Sequence, residues 1–442
     1  MKKINTRFKN KKIVFLGLGM ENFSLLRFLL QQGITDTEIV VADPASYREL
    51  REKWQELTEM ARRKNFFNLA LRNSKDYDRG LDEFDMVMRS PGYPLFSPVL
   101  KKAQRKGVEI SSPMKIFFEF CPTRNIIGVT GTKGKGTTSS LIHYILKQAG
   151  KNSFLGGNIG VAPFDFFSQL NSTSWVVLEL SSFQLEDIHK SPRIAVFTNF
   201  NKEHLTAADD LNPNYHKRLK DYWEAKLNIF RWQRRGDLAV VNDKMRTFLA
   251  GYDFRARFYY FTKSDMESPL MGKHNMENVA AAERVTRLLN TDRQTIQEAV
   301  KNFTPLPHRL ELVKQKGGVS YYNDSFATTP DSAITAMRSF TSPIILLAGG
   351  ADKGSDFTYM AQEISKRAKF VILFDGQGSV NLQNKLRQTS FPQEKVKMVT
   401  SMKEAMDIIK QKRKFGDVVL LSPGCASFGV FKNYKERGEL FK

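Results

Sequence analysis

Short apolar runs alternate with helical patterns along the whole chain, which is the rhythm of parallel α/β structure. Lys11-Lys-Ile-Val-Phe-Leu-Gly17 reads as a buried strand, Phe23, Leu25, Leu26, Phe28 and Leu29 mark a helix, and Glu38-Ile-Val-Val-Ala42 is a second strand. Phe84-Asp-Met-Val-Met-Arg89 is another strand, and a helix over 98–106 and a strand over 107–111 close a first domain. The pattern restarts with Asn125-Ile-Ile-Gly-Val129 and a helix through Leu141-Ile-His-Tyr-Ile-Leu146. Trp175-Val-Val-Leu-Glu-Leu180, Arg193-Ile-Ala-Val-Phe-Thr198 and Asp237-Leu-Ala-Val-Val-Asn242 follow as strands, with helices over 222–230 and from Gly272 through 280–289. Gly156-Gly-Asn-Ile-Gly160 is too rich in glycine for an element interior and reads as a loop. Thr304-Pro-Leu-Pro-His-Arg309 is a proline-rich hinge, after which strands at 319–323, 343–348, 370–374 and 417–422 alternate with helices.

The expected architecture is therefore three α/β domains. They are a Rossmann-like N-terminal domain at 1–111, a central ATPase-like domain with a phosphate loop at 112–307, and a Rossmann-like C-terminal domain at 308–442. A chain of 442 residues is too long for one core, which agrees.

The stretch Gly128-Val-Thr-Gly-Thr-Lys-Gly-Lys-Gly-Thr-Thr-Ser140 carries the sharpest chemistry. Strand, glycine-rich turn, lysine, hydroxyls and helix occur in the order that a phosphate-binding loop needs. Glycines let consecutive N–H groups converge on anionic oxygens, and the helix N-terminus adds positive potential. The loop residues Gly131, Thr132, Lys133, Gly134, Lys135, Gly136, Thr137 and Thr138 are thus candidates for nucleotide phosphates. Lys135 is placed to reach the terminal phosphates, and Thr137 or Thr138 to offer a hydroxyl to Mg²⁺. Glu179 sits in an apolar strand, where a carboxylate is costly unless paired or bound to metal. His204 follows the end of the next strand, and Lys226 lies among Trp223, Leu227 and Phe230, where a lysine usually snorkels. Gly17-Leu-Gly19, Asp43 and Ser90-Pro-Gly92 end strands of the first domain, the edge at which parallel sheets bind ligands.

Charge and cysteine content change the picture little. The net charge of +22 admits a nucleic-acid partner, but the basic residues are scattered over expected exposed faces, with no recognition-helix or zinc-finger pattern. No nucleic acid is expected, and a phosphate-loop NTPase that binds nucleic acid is the minor alternative. Cys121 and Cys425 give no metal spacing, and no apolar run is long enough to span a membrane or act as a secretory signal. A cytoplasmic monomer is expected.

Taken together the motifs resemble the Mur ligase family over essentially the whole chain, and within it the MurD type. They are Thr-Gly-Thr-x-Gly-Lys, Gly-Gly-Asn-Ile-Gly, Leu-Glu-Leu-Ser-Ser-Phe-Gln, Glu-His-Leu, Ala-Lys, Gly-x-His-Asn-x-x-Asn, Pro-His-Arg-x-Glu, Asn-Asp-Ser, Gly-Gly-x-Asp-Lys-Gly and Leu-Ser-Pro-Gly-Cys-Ala-Ser-Phe. The resemblance implies ATP- and Mg²⁺-dependent ligation of D-glutamate to UDP-N-acetylmuramoyl-L-alanine through an acyl phosphate, in peptidoglycan precursor synthesis. An L-glutamate-adding ligase, or another Mur-type or folylpolyglutamate-like ligase, is the alternative within the family. It further implies roles residue by residue. Lys135, Glu179, His204 and Lys226 are catalytic, and Thr137, Glu179, His204 and Lys226, the last as a carbamate, bind metal. Asn275, Asn278 and Arg309 lie around adenine and Asp324 near its ribose. Gly19, Met20, Asp43, Ser90, Pro91, Gly92, Asn158, Ser181 and Gln184 hold the UDP substrate, and Lys353, Ser427, Phe428 and Tyr434 the incoming glutamate.

This sequence departs from the family pattern at several of these positions. Gly136 stands where a Mg²⁺-binding Ser or Thr is usual, Lys133 replaces a common Asn, and Glu21-Asn22 replaces small residues. Phe326 occupies a common Lys position, and the stretch between His204 and Lys226 is long.

Overall fold

The computed structural model describes residues 2–201, 213–352, 354–427 and 429–442. It forms two compact units, one of 1–264 with 277–299, the other of 265–276 with 300–442.

The first unit holds two parallel sheets. In the N-terminal sheet, β1 (Lys11–Leu16), β2 (Thr37–Ala42), β3 (Leu69–Arg72), β4 (Met86–Arg89) and β5 (Glu109–Ser111) lie in the order β3-β2-β1-β4-β5. The order reverses between β1 and β4, and ligand crevices form outside the carboxyl ends of strands at such a switch. In the second sheet, β6 (Ile126–Thr130), β7 (Ser153–Gly157), β8 (Trp175–Glu179), β9 (Ile194–Phe197), β10 (Leu238–Asn242) and β11 (Arg257–Phe261) run in the order β11-β10-β9-β6-β8-β7. Parallel register pairs Val129 with Glu179 and Thr130 with Phe197, so the loops after β6, β8 and β9 emerge on one edge. The central strands β1, β4, β6, β8, β9 and β10 are largely buried apolar runs, as strands covered on both faces require. Phe28 from the N-terminal part meets Phe167 edge-on at 5.1 Å, and Phe117 meets Phe167 edge-on at 5.7 Å, so aromatic packing joins the two sheets into one core.

The second unit carries β12 (Glu311–Lys316), β13 (Val319–Asn323), β14 (Ile344–Gly349), β15 (Ala368–Phe374), β16 (Val396–Val399) and β17 (Val418–Leu421), ordered β12-β13-β17-β14-β15-β16. Only the β12–β13 pair is antiparallel among the described strands, so this sheet is mixed. Helices such as Pro330–Met337, Thr358–Arg367 and Met402–Lys412 cover it.

The glycines expected in a loop at 156–160 begin inside a strand: Gly156 and Gly157 end β7. A Cβ on Gly157 would lie 2.3 Å from the carbonyl oxygen of Glu179, and one on Gly156 would meet the Phe166 ring at 2.8 Å. Glycine is present because β7 approaches β8 and its covering ring too closely for a side chain. The N-terminal basic stretch forms a helix, Lys2–Phe8, with Ile4 and Phe8 buried.

Candidate active site

The loop after β6 has the backbone shape of a phosphate cradle. Gly131 (φ +141°) and Gly134 (φ +82°) adopt conformations that disfavour a side chain. Added Cβ atoms would strike Thr198 Oγ1 at 2.0 Å and Asn278 Oδ1 at 2.2 Å. Gly134 caps the helix Lys135–Gln148 without a side-chain bond. The loop is tied from outside: Lys133 N donates to Asn199 Oδ1 at 2.8 Å, Thr198 Oγ1 donates to Lys133 O at 2.6 Å, and Thr138 Oγ1 donates to Asn278 Oδ1 at 3.3 Å. Lys135 Nζ lies folded over the turn, donating to Thr132 O at 2.7 Å. Thr137 and Thr138 are buried in the first turn of that helix, and Gly136 between them and Lys135 offers no hydroxyl.

Glu179 ends β8 one strand away and is buried. Asn158 Nδ2 donates to its Oε1 at 3.0 Å, while Oε2 is buried with no hydrogen-bond partner. A half-satisfied buried carboxylate next to a phosphate loop is an arrangement that suits a cation. Lys226 is not a snorkelling lysine. It is 1% exposed in the middle of the helix Leu219–Arg231, with Nζ donating to Gly131 O at 2.8 Å and lying 4.6 Å from the Tyr222 ring centroid. His204 lies outside the described residues. His216, further along the same connection, is buried. It shares a hydrogen bond of 2.9 Å with Ser182 Oγ and stacks on Phe183. Burial, reinforced by the Lys226 charge, pulls its pKa down to about 4.

The switch point of the N-terminal sheet gathers the other candidates of this unit. Asp43 accepts from Leu18 N at 2.6 Å and from Ala45 N at 2.8 Å, fixing the loop after β1. Gly19 caps the helix Met20–Gln31 in extended conformation, with open space beside it, and Met20 is exposed. Ser90 is close enough to Gly17 that a Cβ there would lie 2.7 Å from its Oγ. Pro91 O and Gly92 O are taken by Asn214, through Nδ2 at 2.8 Å and the backbone N–H at 3.1 Å. Ser181 and Gln184 form a reciprocal capping box, and Gln184 Nε2 also donates to Glu21. Burial, above all, pushes the Glu21 carboxyl up to about 7.

The second unit presents its own cluster at the carboxyl ends of β13, β14 and β17. Asp324 accepts from Leu310 N at 3.2 Å and Ser422 Oγ at 2.9 Å. Arg309 sits between two residues in left-handed conformation, His308 (φ +63°) and Leu310 (φ +47°), a strain that structures tolerate chiefly at functional positions. Its guanidinium lies 3.9 Å from the Phe326 ring centroid, and Phe326 meets Tyr434 edge-on at 5.0 Å. Ala351 pairs with Ala426, and Gly349 N donates to Pro423 O, so the loop after β14 and the loop holding Ser427 are zipped together. Ser427 is buried; Lys353 and Phe428 lie outside the described residues. Asn275 Nδ2 donates to Met271 O at 2.7 Å at the start of the helix Lys273–Leu288.

Comparison with known proteins shows the family. Residues 11–112 match the model of a Mur ligase MurD-like N-terminal domain, 129–252 that of the Mur ligase middle domain, and 308–425 that of the Mur ligase glutamate ligase domain. The chain is 34% identical to the UDP-N-acetylmuramoylalanine–D-glutamate ligase of Acetivibrio thermocellus, over 99% of this chain and 96% of that protein. It is 35% identical to the ligase of the same name from Clostridium tetani, over 98% and 96%. The chain belongs to the Mur ligase family.

Mur ligases are ATP-dependent, amide-forming ligases, and the MurD type is the branch that this chain matches. Among solved structures, the fold resembles UDP-N-acetylmuramate–alanine ligase MurC from Thermotoga maritima (TM-score 0.60, 18% identity, 98% of each chain). It also resembles the MurF ligase of that organism in complex with ADP (TM-score 0.58, 14% identity, 99% of this chain and 94% of that one). Two buried arginines of this Mur ligase went unnoticed in the sequence. Arg437, fully buried, donates through Nε to Ser325 Oγ at 2.9 Å and through Nη2 to Ser325 O at 2.8 Å. Its Nη1 reaches Cys425 O at 3.4 Å, so it binds the loop after β13 to the Ser427 loop. Burial lowers its pKa to about 10. Arg89, equally buried, donates to Tyr93 O and Phe183 O and lies 3.6 Å from both Glu186 and Asp187. Nothing in a local pattern marks an arginine that serves backbone carbonyls from distant loops.

Proposed function

We propose that the chain joins D-glutamate to the alanine carboxylate of UDP-N-acetylmuramoyl-L-alanine with hydrolysis of ATP, in cytoplasmic peptidoglycan precursor synthesis, and that it acts as a monomer. The observation that carries the chemistry is the half-satisfied Glu179 carboxylate on the same sheet edge as the phosphate loop. The substrates rest on the near full-length likeness to D-glutamate ligases. On this reading residues 1–111 bind the UDP substrate, 112–307 bind ATP and 308–442 bind glutamate.

The loop N–H groups and Lys135 would hold the β- and γ-phosphates, with Lys135 leaving Thr132 O to do so. The alanine carboxylate oxygen attacks the γ-phosphorus, ADP leaves, and an acyl phosphate forms. The glutamate amine then attacks the acyl carbon, and the tetrahedral intermediate expels inorganic phosphate to leave the amide. The orphaned Glu179 Oε2 fits a cation. Glu179, Thr137, His204 and Lys226 as a carbamate would hold Mg²⁺, which when bound would neutralise developing phosphoryl charge. Asn158 fixes the Glu179 carboxylate and would contact the substrate near the metal. Asn275, Asn278 and Arg309 would surround adenine, with Arg309 backed by the Phe326 ring, and Asp324 would meet the ribose. Gly19, Met20, Asp43, Ser90, Pro91, Gly92, Ser181 and Gln184 would line the UDP-sugar, and Lys353, Ser427, Phe428 and Tyr434 the glutamate.

Isotope transfer tests the mechanism. With ¹⁸O in the alanine carboxylate, one label should appear in inorganic phosphate per amide formed; unlabelled phosphate accompanying labelled amide would rule out the acyl phosphate.

A further inference from the structure

A cavity of about 630 Å³ opens at the amino ends of the central strands, the edge opposite the phosphate loop. Thr123, Arg124 and Ile126 line it at the start of β6, Arg193 at the start of β9, and Trp232 to Arg234 after the helix Leu219–Arg231. The length of β6, about 15 Å, separates it from Gly131. Its volume is in the range of small-ligand clefts.

The lining has a defined chemistry. Gln233 is 2% exposed, and its amide is fixed in orientation: Nε2 donates to Pro192 O at 3.0 Å and Leu238 O at 2.9 Å. Its Oε1 is buried with no partner. An acceptor left so is costly unless something donates to it. The walls carry six Lys and Arg side chains against two carboxylates, Glu119 and Asp237, and so are cationic on balance. Arg124 is committed to Asp237 at 3.2 Å and Arg231 to Glu224 at 2.6 Å. Arg234 and Arg255, both exposed, form no ion pair among the described residues. Guanidinium groups without carboxylate partners favour phosphate.

We propose that this cavity binds a small phosphorylated compound whose hydroxyl or N–H donates to Gln233 Oε1 while Arg234 and Arg255 hold its phosphate. It is a site distinct from the one that carries out the ligation.

Trp232 reports on it directly. The chain has four tryptophans, so the Trp232 indole signal in a ¹⁵N–¹H spectrum is assigned by Trp232→Phe. The full chain, with its phosphate loop saturated by ADP and Mg²⁺, is titrated with glucose 6-phosphate and with inorganic phosphate. Glucose 6-phosphate should shift the Trp232 signal saturably, about tenfold more tightly than inorganic phosphate. Arg234→Ala/Arg255→Ala, at two exposed positions, should weaken it about tenfold or more. No saturable shift, or an affinity that the double variant leaves intact, would overturn the site. Equal affinity for the two probes would overturn the role of Gln233.

Discussion

Lys226 reaches from the middle of its helix to the phosphate loop and donates to the carbonyl oxygen of Gly131 at 2.8 Å. A buried ammonium is thereby built into the loop's support, within electrostatic reach of His216. Conversion of its amine to a carbamate would reverse the charge at this point and supply carboxylate oxygens beside the Glu179 edge. Lys226→Ala should therefore lower kcat by about 100-fold or more, and added formate or acetate should restore part of it. Steady-state assays with and without the acids decide the matter; a variant with near-normal turnover would remove Lys226 from the site.

Glu179→Gln separates stability from function. The carboxylate is buried with one oxygen unpartnered, so a neutral amide in its place should leave the ligand-free fold as stable or raise it by about 1 kcal/mol. Activity should fall by about 100-fold or more if this oxygen serves the phosphoryl transfer. Thermal melts and turnover are measured together, and retained activity would contradict the assignment.

Lys135→Ala should abolish ATP hydrolysis coupled to ligation while leaving the affinity for the UDP substrate nearly unchanged. Lys135 belongs to the loop after β6, whereas the UDP-substrate candidates cluster mainly at the ends of β1, β2 and β4. Phosphate release and calorimetric binding of the UDP substrate check the two halves separately.

Stability should depend on pH through Glu21 and Glu186, both raised to about 7 chiefly by burial. A carboxyl whose folded pKa is above its unfolded value binds its proton more tightly when folded. Its contribution is complete below about 4.5, the unfolded value, and is lost as pH rises through about 7. Glu21→Gln should therefore reduce the decline in unfolding free energy between pH 5 and 8 by about 1–3 kcal/mol. Denaturant titrations across that range test it, and an identical slope in the variant would show that Glu21 titrates normally.

Phe326 has two faces in this chain, since its ring backs Arg309 and meets Tyr434. Phe326→Lys should lower the glutamate KM by about tenfold by adding a cation near a carboxylate, and raise the ATP KM by removing the ring beneath Arg309. Opposite movement of the two constants is the expected signature; a change in neither would remove both roles.

The sequence disclosed the interior of this fold better than its borders. The strands read directly from apolar runs are mostly central ones. β3, β7, β11, β12 and β16 went unread, and each is an edge strand of its sheet. An edge strand is less enclosed and carries polar or glycine positions, as in β12 with its exposed Lys314 to Lys316. The site was legible where a contiguous motif encodes backbone geometry, as at Gly131 and Gly134. It was illegible where one side chain ties distant loops together, as Arg437 and Arg89 do, or where Gly157 is required by a neighbour's carbonyl.

The most direct test of the whole account is ligation itself. Purified protein is given UDP-N-acetylmuramoyl-L-alanine, Mg²⁺-ATP and, in separate reactions, D-glutamate, L-glutamate, D-aspartate, L-lysine or diaminopimelate, and the amide product is measured by mass spectrometry alongside ADP. D-Glutamate should give the highest kcat/KM, with one ADP per amide; better ligation of any other amino acid, or ATP turnover without amide, would contradict the account.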